Sequence, residues 1–443
     1  MTEYSFDNVI ADQNVSNYSP SSIASELIVD SKALYGKKVA IHCHPSNFAK
    51  LFVTLKGLVS LALLVPYKAC EDFIRRAEAT LDLDLVISDG MVKLNNWHTE
   101  KLNLNIADVY KSKLSETISK EIATSWVVAT SGTTGSPKFV AHNMESLSRT
   151  IPKNSGNIDL AWGLLYDPAR FAGLQVVLTS ILNNQQLIVP DPDSSFEEQI
   201  SYLTANGCSA LSATPSLWKK ILMTISSNNL KLKQITLGGE IVDQKILNTL
   251  DNKYPNANIT HIYASTEAGV GFSVKDKKAG FPKSWLQTGI RNVKLKISPQ
   301  NTLCLNNITK NQSYIGSDLD IFDTDGWIDT GDVVEIIEDR VFFKGRLNGS
   351  INIGGNKVIP EDVENEIIQV EGVNQVLVRA KSSSIAGSLI EALIVCDTTV
   401  HSKKELVQAI KSHCISNLPS FKRPAFIKIV EALPITESGK IKR

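Results

Sequence analysis

The sequence predicts an α/β protein. A large N-terminal domain of α/β lobes with a small β lobe should precede a small α+β C-terminal domain. Three observations carry this. Short apolar, β-rich runs alternate with helical stretches between residues 38 and 263, the pattern of lobes built on largely parallel sheets. The helical period disappears between 290 and 345, where turn signals break up short strands. Glycine and asparagine crowd into 348–356, and a separate α+β pattern follows. The 443 residues leave room for roughly three lobes at about 150 residues each.

The elements follow in order. Strands are expected at 38–43, 84–88, 125–130, 186–190, 234–238 and 259–263. Helices are expected near 46–60, 70–80, 143–150, 195–206, 215–226 and 243–253. The apolar run Leu51–Pro66 contains Lys56 and ends in proline. It is too short to cross a bilayer and reads as a buried helix running into a buried strand. Ser298-Pro299, Asp325-Gly326 and Thr330-Gly331 punctuate the β lobe. The expected domain boundary lies at 345/346, giving an N-terminal domain of 1–345 and a C-terminal domain of 346–443. Asn348, Gly349, Ser350, Gly354, Gly355 and Asn356 form a hinge-like loop. Pro360 suits a first helical turn, with Glu361 and Asp362 favourable to the helix dipole. Val363, Ile367 and Val370 are spaced for one buried face. Strands at 373–380 and 388–396, a helix at 402–417 and a strand at 425–430 complete the chain.

Composition narrows the function. Hydrophobic residues make up 43% and charged residues 21%, enough apolar content for a substantial core. Lys+Arg and Asp+Glu both number 46, so the formal net charge is zero. That argues against a nucleic-acid grip built on net positive charge, and against a disordered chain. The six cysteines form no CxxC pair and are too sparse for a disulfide scaffold, as in a reducing, cytoplasmic compartment. The acidic N-terminus lacks the basic and apolar regions of a signal peptide, and no membrane attachment is expected.

The most informative segment runs from Ser125 to Lys138. A buried strand enters Thr130, Ser131, Gly132, Thr133, Thr134, Gly135, Ser136 and Lys138: five hydroxyls, two glycines and one lysine within nine residues. Glycines let the backbone turn tightly and aim N–H groups at an anion. Hydroxyls add neutral donors, and Lys138 adds a point charge. Gly-Lys-Ser/Thr is absent, so this is not a Walker A loop. A Ser/Gly-rich surface turn is the plain alternative.

Thr130–Lys138 resembles the signature loop of the adenylate-forming superfamily, which includes acyl-CoA and aryl-CoA synthetases, adenylation domains and luciferases. Five further segments resemble that family in its own order. Leu237-Gly238-Gly239-Glu240 resembles the turn that borders the adenine. Tyr263-Ala264-Ser265-Thr266-Glu267 resembles the segment whose tyrosine stacks on adenine, whose threonine meets phosphate and whose glutamate holds magnesium. Asp325–Asp332, followed by Lys344-Gly345-Arg346, resembles the ribose-binding segments and implies ribose contacts from Asp332 and Arg346. Gly354–Glu364 resembles the start of a mobile C-terminal domain. Pro434–Lys440 resembles the terminal loop with the catalytic lysine, here Lys440. The Gly-Gly-Asn form at 354–356 is similar to the compact o-succinylbenzoate–CoA ligase branch.

This implies ATP, Mg2+ and coenzyme A as cofactors, a small carboxylic acid as substrate, and Lys440, Glu267 and Thr266 as catalytic residues. The plain alternative for Glu267 is a solvated loop glutamate, and for Lys440 an ordinary tail lysine. The resemblance implies two steps: acyl-AMP formation with pyrophosphate release, then transfer to a thiol with the C-terminal domain rotated. The thiol belongs to coenzyme A or to a carrier-protein phosphopantetheine; a non-catalytic nucleotide-binding homologue is the rival from another class. Ala264 departs from the family's usual glycine, Asn348 from a frequent hinge aspartate, and Asn352 from a frequent lysine.

The acid pocket is expected around Arg170, Phe171, Gly173, Thr214 and Gly269. By its spacing from Gly173, Arg170 takes the place where the family usually sets an aromatic or histidine gate. Its guanidinium has two readings: it pairs with a second carboxylate on the substrate, or it pairs with Asp167 or faces solvent. His142 reads as a packing or hydrogen-bonded histidine. His42-Cys43-His44 is assigned to packing, since two histidines and a thiol need distant ligands to hold zinc.

Overall fold

A computed structural model describes residues 9–11, 34–88, 103–105, 122–130, 138–151, 159–307, 313–316, 320–353, 356–383, 387–396 and 402–434. The chain divides into two compact units, Met1–Lys278 with Asn307–Gly326, and Ala279–Asn306 with Trp327–Arg443.

The strands of the first unit are β1 (Val9–Ala11), β2 (Lys38–His42), β3 (Leu61–Leu64), β4 (Leu85–Ser88), β5 (Asn103–Asn105), β6 (Ser125–Ala129), β7 (Phe139–His142), β8 (Ala161–Gly163), β9 (Gln186–Val189), β10 (Ala210–Ala213), β11 (Gln234–Gly238), β12 (Asn258–Ser265) and β13 (Gly269–Val274). Between them run α1 (Pro45–Leu55), α2 (Glu71–Leu81), α3 (Met144–Ser148), α4 (Phe171–Leu182), α5 (Phe196–Ala205), α6 (Pro215–Leu222) and α7 (Gln244–Lys253). The second unit begins with β14 (Phe281–Pro282), α8 (Trp285–Thr288), β15 (Val293–Ile297) and β16 (Thr302–Asn307). The chain then returns to the first unit for β17 (Ser313–Ile315). The second unit resumes with β18 (Ile328–Ile337), β19 (Arg340–Arg346), β20 (Ile351–Ile353), β21 (Asn356–Val358), α9 (Pro360–Ile367), β22 (Val373–Ser383), β23 (Gly387–Cys396), α10 (Lys403–Asn417) and β24 (Phe426–Ile429).

The first unit carries two seven-stranded sheets, ordered β17-β7-β6-β3-β2-β4-β5 and β1-β9-β8-β10-β11-β12-β13. Pairing is parallel throughout, except for β6–β7, β7–β17 and β12–β13. Strands buried on both faces need continuous apolar runs, which is why Leu61–Leu64 and Ser125–Ala129 carry almost no polar residues. Trp126 is fully buried and stacks on Phe52 at a 3.9 Å centroid distance. Leu51–Pro66 divides as expected, with helix to Leu55 and strand from Leu61. His44 caps α1 by accepting from the Ser46 amide, and His42 Nε2 lies 3.2 Å from the Tyr67 carbonyl oxygen.

The second unit opens with a five-stranded β lobe, ordered β14-β19-β18-β16-β15. The segment read as a hinge loop forms part of a short hairpin, in which Ile353 faces Asn356; Gly354 and Gly355 lie outside the described residues. Beyond it, α9 and α10 enclose a core with the sheet β22-β23-β24. Every buried member of that core comes from 351–418, including Val363, Ile367, Val378, Ile394, Leu406 and Ile410. Helix α10 starts with a capping box between Ser402 and Glu405, worth about 1 kcal/mol. The boundary expected at 345/346 falls inside this unit, beside an ion pair of 3.1 Å from Lys344 to Asp362. Among the described residues, no helix is long and apolar enough to cross a membrane.

Candidate active site

The ends of the hydroxyl-rich loop are zipped together. Strands β6 and β7 are antiparallel neighbours with Ala129 facing Phe139. The Thr130 amide donates to the Lys138 carbonyl at 2.8 Å, and the Lys138 amide donates to Thr130 Oγ1 at 3.2 Å. Ser131, Gly132, Thr133, Thr134 and Gly135 lie between these anchors, outside the described residues.

Lys138 Nζ stands 5.0 Å from the centroid of the Tyr314 ring, and Glu267 lies near enough for its charge to act on the Tyr314 phenol. Burial pushes the phenol up to about 12, and the nearby Glu267 charge acts in the same direction. Tyr314 is therefore a neutral donor at ordinary pH. The structure thus sets a residue that sequence reasoning missed beside the expected phosphate lysine and near the expected metal carboxylate. No local motif marks Tyr314; strand pairing opposite Val140 brings it there.

Thr266 and Glu267 occupy the turn from β12 to β13, where Ser265 Oγ accepts from the Ala268 amide at 3.0 Å. The β12–β13 register slips between Tyr263 and Ala264, an irregularity of the kind that re-aims side chains near sites. Ala264 is not among the residues with positive φ, so alanine in place of glycine costs no backbone strain there. The Tyr263 ring stacks on Phe272 at 5.2 Å. Gly269, at φ +67°, begins the return strand.

Strand β11 ends at Gly238, and Gly239 turns the chain at φ +80°. The Glu240 carboxylate then accepts from the Ser216 amide at 2.9 Å, placing negative charge at the positive end of α6. Thr214 caps the same helix, accepting from the Leu217 amide at 3.1 Å. Two expected site residues therefore also build the local structure. Together with Tyr263, these turns lie at the carboxyl ends of parallel strands, where open α/β sheets place their ligands.

In the segment expected to line the acid pocket, the Asp167 carboxylate accepts from the amides of Tyr67 and Ala169 at 2.8 and 2.9 Å. Arg170 meets Asp167 through the backbone at 3.0 Å and occupies the N-cap of α4. Its guanidinium makes no ion pair among the described residues. Phe171 is buried, 5.7 Å from the His142 ring. At Gly173 an added Cβ would lie 2.6 Å from the Asp167 carbonyl carbon and 2.9 Å from Pro168 Cα, so glycine alone lets α4 start this close.

Two basic groups behind this wall are poorly satisfied. His142 is buried, with Nδ1 3.3 Å from Ser146 Oγ and Nε2 lacking a well-formed hydrogen bond. Burial lowers it to about 4, opposed only weakly by the Thr266 backbone, so the ring is neutral at pH 7. Arg149 donates through Nη2 to the Val270 carbonyl at 3.0 Å, while Nε and Nη1 are shielded without partners.

The ribose candidates belong to the second unit. Asp332 and Arg346 are register partners on β18 and β19, joined at 2.9 Å through Arg346 Nε. Lys440 lies outside the described residues.

Among the described residues, no three His, Cys, Asp or Glu side chains cluster to hold a metal. A cation at Glu267 must take its other ligands from phosphate oxygens and water. Mg2+ binds beside nucleotides in this way, so the single oxygen donor fits it.

Comparisons with known proteins identify the family and the fold. The family model for AMP-binding enzymes matches residues 58–303, and that for the AMP-binding enzyme C-terminal domain matches 362–440. The chain is 26% identical over 343 residues to bacitracin synthase 3 of Bacillus licheniformis, covering 72% of this chain and spanning only 5% of that protein's length. It is 26% identical over 327 residues to 2-succinylbenzoate–CoA ligase of Listeria monocytogenes, covering 72% and 68% of the two chains. It is 24% identical over 347 residues to D-alanine–D-alanyl carrier protein ligase of Staphylococcus aureus, covering 73% and 71%. The fold matches o-succinylbenzoate coenzyme A synthetase of Bacillus subtilis in complex with ATP and magnesium ion, with TM-score 0.73, 16% identity, and 98% and 94% of the chains covered. The chain belongs to the AMP-binding enzyme family, the adenylate-forming ligases.

Proposed function

We propose that this ligase joins a small carboxylic acid to coenzyme A in two steps. The acid's carboxylate attacks the α-phosphorus of ATP, giving acyl-AMP and pyrophosphate. The thiol then attacks the acyl carbon and releases AMP. The proximity of Lys138, Tyr314 and Glu267 carries the reading, because it brings a phosphate-binding cation and a metal-binding carboxylate into one neighbourhood. An anionic nucleophile approaching a triphosphate needs its repulsion relieved. Lys138, the Thr130–Gly135 donors and Thr266 hold phosphate. Mg2+ supplies further charge neutralisation when bound, and Glu267 holds it. Gly238, Gly239, Glu240 and Tyr263 take the adenine, and Asp332 with Arg346 takes the ribose hydroxyls. Lys440 neutralises charge during adenylation.

Phe171, Gly173, Thr214 and Gly269 form the acid pocket, and Arg170 selects among acids. Its guanidinium, free of ion pairs among the described residues, suits a second carboxylate. Arg170→Ala should shift the acid profile away from dicarboxylates while leaving ATP affinity unchanged; an unchanged profile removes Arg170 from the pocket.

Coenzyme A is favoured by the similarity to 2-succinylbenzoate–CoA ligase. The similarity to a D-alanyl carrier protein ligase supports a second reading, loading of a carrier-protein phosphopantetheine. ATP–pyrophosphate exchange across a panel of carboxylic acids tests the first step. Acyl transfer to coenzyme A against a phosphopantetheinylated carrier then decides the acceptor. No exchange with any acid would leave a non-catalytic nucleotide binder.

A further inference from the structure

The two carboxylate oxygens of Asp167 serve different segments of the chain. Oδ1 accepts from the Ala169 amide at 2.9 Å, and the Asp167 carbonyl accepts from the Arg170 amide at 3.0 Å. With Pro168 in second place, Asp167–Arg170 is a β-turn braced by its own first side chain. Aspartate and asparagine both suit that position, because either can accept from the amide two residues on. Oδ2 reaches out of the turn. It accepts from the Tyr67 amide, 100 residues away in the chain, at 2.8 Å.

Tyr67 follows β3 in one seven-stranded sheet, whereas Asp167 follows β8 in the other. The bond therefore ties the carboxyl ends of the two sheets together. Its far end is a fixed point. The Tyr67 carbonyl oxygen lies 3.2 Å from His42 Nε2, and the Tyr67 hydroxyl donates to Asp193 at 2.8 Å. The His44 ring meets the Tyr67 ring edge-on at 5.2 Å. At the near end, the first turn of α4 packs so tightly on the Asp167 carbonyl that a Cβ at Gly173 would collide with it. Arg170 is the N-cap of α4 and Phe171 its first residue, so both take their place from this turn.

We propose that Asp167 is a positioning residue for the carboxylic acid, holding Arg170 and Phe171 against the opposite sheet through its bond to Tyr67. The inference rests on the assignment of those two residues to the acid pocket. Asp167→Asn isolates the bond. Asparagine keeps Oδ1 and the turn, but sets an amide NH2 against the Tyr67 N–H, where two donors meet. ATP–pyrophosphate exchange is measured with acetate, benzoate, succinate and glutarate, and KM for the best acid and for ATP is compared in wild type, Asp167→Asn and Arg170→Ala. Asp167→Asn should raise the acid KM about tenfold, the usual effect of losing one hydrogen bond to a charged group, with the ATP KM unchanged. Loss of folded protein would instead lower kcat and leave both KM values alone. Thermal unfolding confirms that each variant is folded. Should Asp167→Asn unfold, the same split is read on Asp167→Glu, which keeps the charge and displaces both oxygens by one methylene. A wild-type acid KM in Asp167→Asn, while Arg170→Ala shifts the acid profile, overturns the inference and leaves the pocket intact, as does an equal rise in both KM values. An unchanged acid profile in Arg170→Ala overturns the pocket assignment and the inference with it, as does a wild-type protein that supports exchange with no acid.

Discussion

Two carboxylates in this chain are handled in opposite ways. Glu391, 2% exposed at the centre of the β22-β23-β24 sheet, is surrounded by Arg379 at 2.7 Å, Lys428 at 2.9 Å and Lys381 at 3.6 Å. The Lys428 and Arg379 contacts hold its carboxyl down to about 2. Glu267, at the edge of a sheet in the other unit, lies near the neutral phenol of Tyr314. Cations already answer the first charge; among the described residues no cation pairs with the second. A carboxylate ringed by cations marks a group that stabilises, whereas one with no cation beside it suits a ligand.

The largest expected effect tests whether the unanswered side of that contrast needs charge from elsewhere. Lys440→Ala should slow adenylate formation by about 10²–10³-fold, the usual cost of losing one stabiliser of developing charge. Transfer from a supplied acyl-adenylate to the thiol should be largely spared. Equal slowing of both half-reactions contradicts a role confined to adenylation, and a normal adenylation rate removes Lys440 from the mechanism.

Glu267→Gln sharpens the contrast at its centre. Adenylation should fall by about 10²-fold at limiting Mg2+, with partial recovery at high Mg2+ and an unchanged unfolding midpoint. If the rate and its Mg2+ dependence stay at wild-type levels, Glu267 is a loop glutamate.

Glu391→Gln should do the reverse, lowering stability by about 1–3 kcal/mol while ATP binding is retained. The partners are 40–55% exposed, which keeps the loss at the lower end. The folded pKa lies below the unfolded one. This contribution is therefore present above the ordinary glutamate range and fades as pH falls through about 2. Denaturant unfolding at pH 7 against pH 3 checks it; a variant as stable as wild type would mean that the ion cluster contributes nothing.

Much of this was legible in the sequence where polar and apolar residues alternate with a clear period. Amphipathic helices such as Glu71–Leu81 and Gln244–Lys253 announce themselves through one polar face. Phe171–Leu182 is apolar nearly all round and lies in the interior, so it has no polar face to betray its period. Ala161–Gly163 is too short to alternate. Within the site, Lys138, Tyr263 and Glu267 sit in continuous motifs and were readable. Tyr314 and Arg149 were not, because each reaches the site through a contact distant in sequence: Tyr314 beside Lys138, and Arg149 on the Val270 carbonyl.

His142 offers the smallest effect and the subtlest test, since it is a titratable group that the fold neither neutralises nor leaves open to solvent. Its neighbours are the Ser146 hydroxyl, the Phe171 ring and the Thr266 backbone. None is an acid; the Thr266 backbone favours the imidazolium, but burial outweighs it and lowers the ring to about 4 from an ordinary 6.5. Between those values the unfolded chain binds a proton that the folded chain refuses. Stability is therefore complete above about pH 6.5 and declines as pH falls toward 4, by about 1 kcal/mol on reaching pH 5.5. Denaturant midpoints of wild type and His142→Asn, followed from pH 7.5 to 5, should diverge in slope by up to one proton, with the variant the flatter of the two. Parallel slopes would mean that the imidazole is protonated inside the fold, and would require a partner for Nε2 beyond those seen around it.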